Sequence, residues 1–287
     1  MTDYRILLAV VGDADSGRPP LDVALSMAKT FGAHVAALHV RGDPTGAVPL
    51  VGEGISGSMV EEMIDAAERQ IAERATNARR AFDQAVAAAG VPLSDRPATT
   101  GPSAAWIERT GREEDITAQL GRLVDLIVVG QPRADQDLPS MMTLNAALME
   151  SGRPILMVPR GAVAPRRSVA VAWNGSTESA GALHAALPMM VAAQSITILS
   201  AHEDGAMPGL SADEARIALE WRGIRATCRA LPGGGHVGAT LLAEAAAAGA
   251  DLLVMGAYTH SRLRQLILGG VTRHVLDQAT LPVLMNH

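Results

Sequence analysis

Aromatic side chains are nearly missing from this chain: Phe, Trp and Tyr make up 2% of its 287 residues. The stacking platforms on which single-stranded nucleic acids lie are hard to assemble from so few rings. Positive charge is also in deficit, with 24 Lys and Arg against 30 Asp and Glu and a net charge of -6. Neutralising a phosphate backbone takes clustered cations, so no nucleic-acid partner is expected. The single cysteine, Cys228, excludes an internal disulfide and a cysteine-based zinc cluster, and it fits a reducing, cytoplasmic setting. No apolar run reaches the ~18 to 20 residues that span a bilayer. The opening MTDYRILLAV has no basic leader ahead of a long apolar core and a small-residue cleavage site, so neither a signal peptide nor a membrane partner is expected.

Ala, Val, Leu and Gly dominate instead. Hydrophobic residues reach 48% and charged ones 19%, the balance of a well-packed globular protein. A repeat divides the chain. DLIVVG (125–130), a polar stretch and RPILMVP (153–159) return as DLLVMG (251–256), a polar stretch and LPVLMNH (281–287). RILLAV (5–10) likewise corresponds to RSVAVA (167–172), and AHVAALHV (33–40) to QSITILSA (194–201). Each half is an ordinary domain of roughly 140 residues. The expected domains cover residues 1–160 and 166–287, and PRGAVAPRR (159–167), with its two prolines, is the expected linker.

The short unbroken apolar runs predict strands buried on both faces, as parallel sheets require. Helical spacing appears between them, in LDVALSMAKTFG (21–32), in the long EEMIDAAERQIAERATNARRAFDQAVAAAG (61–90), and in the second half at 176–193, 212–223 and 238–250. Alternating strands and helices make each half a doubly wound parallel α/β sheet with its ligand at the carboxyl ends of the strands. The opposite charges along 61–80 stabilise an exposed helix, and the same face could receive a protein partner.

One stretch carries the chemistry. In GAYTHSRLRQLILGGVTRHVL (256–276), a strand ends at Gly256, a polar loop follows, and Gly269 and Gly270 open a helix. A helix N-terminus offers unpaired N–H groups and a positive dipole end, and glycine lets a phosphate approach the backbone. Thr272 could cap that helix or touch a ligand oxygen, and His260, Arg262 and Arg264 add donors and charge nearby. The same glycines would equally serve a tight turn.

These residues resemble the universal stress protein family. Its nucleotide-binding members carry a Gly, two residues, a Gly, nine residues, a Gly and then Ser or Thr; here Gly256 fits the first position and Gly269 the third. Thr259 stands in place of the second Gly and Gly270 in place of the Ser or Thr, with Thr272 as the nearest substitute hydroxyl. The resemblance runs over both halves, as in tandem members, and implies two Rossmann-like domains in which PILMVP and PVLMNH meet. By the same resemblance, Asn174 and Gly175 after the first strand, and Ser200 with Ala201 after the second, lie by the base and ribose.

The resemblance further implies a stress-response regulator that binds ATP or AMP, with magnesium, at no more than one site per chain, and that can form a homodimer. In the first half QPRADQDLPSMMTLNAALMESG has no glycine pair, and Asp13 reads as a turn residue. No Walker lysine and no acidic pair for magnesium is present, so at most slow ATP hydrolysis is expected. Neither a metal site nor a catalytic residue is expected, since the histidines of the second half (His202, His236, His260, His274, His287) lack metal-ligand spacing and Ser176 lacks a positioned base. Trp106, Trp173 and Trp221 are expected as core or interface anchors. An interaction scaffold of the same fold that binds no nucleotide is the alternative reading.

Overall fold

The computed structural model describes residues 3–13, 16–43, 57–96, 100–132, 139–165, 167–200, 210–233, 236–257 and 270–287. The first half runs β1 (Ile6–Val10), α1 (Arg18–Phe31), β2 (His34–Arg41), α2 (Gly57–Ala89), β3 (Ser103–Thr110), α3 (Glu113–Gly121), β4 (Leu126–Gly130), α4 (Met141–Glu150) and β5 (Ile155–Val158). The second runs β6 (Ser168–Trp173), α5 (Thr177–Ala185), α6 (Leu187–Ala192), β7 (Ser195–Ser200), α7 (Ala212–Glu220), β8 (Thr227–Ala230), α8 (Val237–Ala247), β9 (Leu252–Gly256), α9 (Gly270–Gln278) and β10 (Val283–Asn286).

The described strands form one sheet in the order β3-β2-β1-β4-β5-β10-β9-β6-β7-β8. Within each half the strands are parallel, and the halves meet where β5 and β10 pair antiparallel, Leu156 opposite Leu284. The meeting of PILMVP and PVLMNH implied by the family resemblance is therefore found. Both faces are covered. Leu21, Leu25, Phe82, Leu183 and Leu219 bring α1, α2, α5 and α7 onto one face, while Leu144, Leu148, Leu241 and Leu276 bring α4, α8 and α9 onto the other. This double cover is why β4 and β5 are apolar and buried at every position. Tyr4 Oη donates to the carbonyl of Ala185 and Gln131 Nε2 donates to that of Leu276 at 2.7 Å, so side chains also tie the halves together.

The structure departs from the sequence reading in two places. The run 176–193 is two helices, because Pro188 cannot continue α5 and instead opens α6. β3 and β8 were not expected; they are the sheet edges, and all four residues of β8 are exposed. Of the tryptophans expected as core or interface anchors, Trp173 is core, Trp106 packs on Phe82 and His39, and Trp221 is 86% exposed, which leaves it the interface role. Among the described residues no helix is long and apolar enough to cross a membrane.

The aspartate that opens each DLIVVG-type repeat has a structural task. Asp125 Oδ2 accepts from the N–H groups of Arg5 and Ile6 at 2.7 and 2.9 Å, and Asp251 does the same for Arg167 and Ser168 at 2.9 and 3.1 Å. Each carboxylate pins the start of its half's first strand to the neighbouring strand. Asp251→Ala should cost about 1.5 to 3 kcal/mol, the range for hydrogen bonds to a charged group, read as a lower urea midpoint with unchanged slope; an unchanged midpoint would remove the clamp.

Candidate functional site

In the second half the strand order reverses between β6 and β9, and the helices that follow these two strands, α5 and α9, pack on opposite faces of the sheet. Such a reversal is where doubly wound sheets take ligands. Asn174 and Gly175 follow β6, Ser200 ends β7 in register with Trp173, Gly256 ends β9, and Gly270 and Thr272 belong to the first turn of α9. The chain thus brings six of the expected site residues to one edge. Ala201, Thr259, Arg262 and Gly269, together with His260 and Arg264, lie outside the described residues.

Their individual environments differ. Asn174 is exposed, and its Oδ1 accepts from Ser176 N–H at 3.2 Å across Gly175, whose φ of 74° lies in the left-handed region. Ser176 then caps α5 by accepting from Ser179 N–H at 3.1 Å. With its oxygen engaged in this turn, Asn174 has its amide N–H groups left to offer a ligand. Gly256 serves packing: a Cβ there would stand 2.5 Å from Ser179 N and 2.7 Å from the Glu178 carbonyl carbon. Gly270 is the opposite case, exposed, with no atom of the described residues within 4 Å of such a Cβ. Thr272 is buried at 5% exposure, and His274 packs against Gly238 of α8.

At the corresponding edge of the first half, the described polar side chains bond to one another and to the backbone. Asp13 Oδ1 accepts from Ser16 N–H at 2.7 Å and Ser16 Oγ at 2.8 Å, the turn role expected of it. Gly130 lies so close to the loop before α1 that a Cβ would stand 2.9 Å from Ser16 O. Ser140 caps α4, accepting from Thr143 N–H at 3.1 Å. His39 is buried, with Nδ1 2.8 Å from the Val11 carbonyl, so that nitrogen carries the proton; burial lowers its pKa. Sequence reasoning did not single out Glu113, which is buried at the start of α3 and bonded to Thr143. An acidic residue at a helix start reads as a complement to the helix dipole, and nothing local in GREEDI signals burial.

Fold and edge together define a duplicated doubly wound α/β protein whose second half places Asn174, Gly175, Ser200, Gly256, Gly270 and Thr272 at the strand-order reversal. Residues 165–287 match the model of the universal stress protein family. The match covers the second half of the chain, and over its whole length the chain shares its fold with solved structures. A universal stress protein from Archaeoglobus fulgidus DSM 4304 superposes with a TM-score of 0.65 at 17% identity, covering 98% of this chain and 97% of that one. A functionally unknown protein from Pseudomonas aeruginosa PAO1 gives 0.56 at 15% identity, over 99% and 92% of the two chains. A putative universal stress protein from Pseudomonas aeruginosa UCBPP-PA14 gives 0.55 at 14%, over 99% and 93%. No curated protein sequence matches the chain.

Proposed function

We propose that the protein binds one adenine nucleotide per chain, ATP or AMP, at the β6/β9 crevice of its second half and acts as a regulator in a stress response. The observation that carries this reading is the gathering of Asn174, Ser200, Gly256 and Gly270 at the strand-order reversal, with Gly270 exposed in the first turn of α9, where helix N–H groups can meet a phosphate. The contrast within the chain supports a single site, since α4 begins under its own Ser140 cap. Among the described residues no group of three acidic, His or Cys side chains is placed to hold a metal, so magnesium would arrive on the phosphates. The interaction-scaffold reading draws support from Trp221, an exposed aromatic of the kind that anchors partner surfaces.

Gly270→Gln tests the nucleotide reading without disturbing the fold, because a Cβ at this position meets no atom of the described residues. The variant should melt within about 1 °C of the wild type, a surface change of under ~0.5 kcal/mol. It should also lose the rise in melting temperature that a native-state ligand produces in the wild type. An equal ATP-induced rise in both proteins would move the nucleotide away from α9.

A further inference from the structure

In the first half, the N-terminus of α4 rests on a buried carboxyl group. Glu113 opens α3 and is 6% exposed; its Oε1 accepts from Thr143 Oγ1 at 2.8 Å, and Thr143 Oγ1 lies 3.1 Å from Oγ of the cap residue Ser140. Its other oxygen, Oε2, has no hydrogen-bond partner among the described residues. Nor does the hydroxyl of Thr117, one turn further along α3, and both atoms are buried. Polar groups left half satisfied in a core cost stability. The chain itself contains the apolar solution: counted from the first residue of each helix, the same two positions of α8 are Val237 and Leu241. Stability alone therefore gives no reason for a carboxyl group at position 113.

The charged groups that act on Glu113 come from each neighbouring element. Glu114 on its own helix and Asp13 in the turn after β1 oppose its ionisation; Arg74 of α2 and the hydroxyl of Thr143 on α4 favour it. Desolvation is the largest influence; with Glu114 and Asp13 it outweighs Thr143 and Arg74 and pushes the carboxyl up to about 7.

We propose that Glu113 is a proton-operated latch between α3 and α4, holding the first turn of α4 in place while its carboxyl is neutral and releasing that turn when it ionises. The neutral acid can stay in the core, whereas the carboxylate is drawn towards water and leaves Thr143 and the Ser140 cap unsupported. Because α4 begins at the carboxyl end of β4, the latch acts on the strand edge of the first half and gives it a response to pH near neutrality. The inference does not depend on nucleotide binding in the second half.

The test uses the full chain. Amide exchange of residues 141–145, corrected for the intrinsic pH dependence of exchange, is compared at pH 6 and pH 8 in the wild type and in Glu113→Gln. One unit above its pKa a group is about ten-fold more ionised than neutral. Protection of this turn should accordingly fall by about ten-fold in the wild type and stay constant in the variant. Equal behaviour of the two proteins, whether both change or neither does, would overturn the latch. Should the variant fail to fold, the Glu113 side-chain carbon signal of the isotope-labelled wild type decides: a midpoint near pH 7 supports the latch, and one below pH 5 refutes it.

Discussion

Gly256→Val should unfold or severely loosen the second half, whatever ligand it binds. A Cβ at this position would stand 2.5 Å from Ser179 N, 2.7 Å from the Glu178 carbonyl carbon and 2.9 Å from Glu178 Cβ. Two of these atoms are backbone in the first turn of α5, and backbone cannot rotate out of the way as a side-chain tip can. The helix would have to lift off β9, taking with it its contacts to β10 at the seam between the halves. Overpacking a core typically costs about 1 to 3 kcal/mol, and a branched side chain pressed against fixed backbone belongs at the upper end or beyond. Chemical denaturation should show the loss with no nucleotide present. A variant as stable as the wild type would mean that α5 does not pack as described. The glycine that resembles a phosphate-binding position is thus first a packing glycine, and Gly130 meets the same constraint in the half that has no glycine pair.

The second large effect is on pH dependence. Glu113 titrates at about 7 in the folded chain, against 4.5 for an ordinary glutamate. The folded state therefore holds the proton more tightly than the unfolded state, so the stability it confers is fully present below pH 4.5. It is lost as the pH rises to about 7, beyond which the loss is constant. Two and a half units correspond to about 3 kcal/mol. Glu113→Gln keeps an oxygen for Thr143 and cannot ionise, so the variant should gain about 2.5 kcal/mol on the wild type at pH 8 relative to the difference at pH 5, part of the effect being already lost at pH 5. Urea titrations at both values measure this double difference, in which every other carboxylate cancels. A double difference near zero would mean that Glu113 ionises as an exposed glutamate does.

Much of the architecture was legible in the sequence, for a physical reason. Strands buried on both faces must be unbroken apolar runs, and DLIVVG, DLLVMG, PILMVP and PVLMNH announce β4, β9, β5 and β10 together with the duplication. β3 and β8 escaped because an edge strand is paired on one side and needs no such run; SAAWIERT and TCRA carry charge and exposure that a central strand would not tolerate. The division at Pro188 was present in the sequence but was outweighed by the helical spacing on both sides of it. At the site, chain order brings Asn174, Ser200, Gly256 and Gly270 to one edge once the strand order is known. Sequence alone did not separate the two kinds of glycine: Gly256 is held against α5, whereas a Cβ at Gly270 meets no atom of the described residues. Glu113 was invisible because its character comes first from burial and then from Thr143, Asp13 and Arg74, which lie far from it in the sequence.

The most direct test of a single nucleotide site is isothermal titration of the nucleotide-stripped full chain with ATP and magnesium. Binding of one nucleotide per chain, absent in Gly270→Gln, is the expected result and would place the nucleotide at the α9 end of the crevice. No binding heat and no thermal shift, or two nucleotides per chain, would contradict it: the first would leave the duplicated fold as a scaffold for protein partners, and the second would put a working site in the half that has no glycine pair before its last helix.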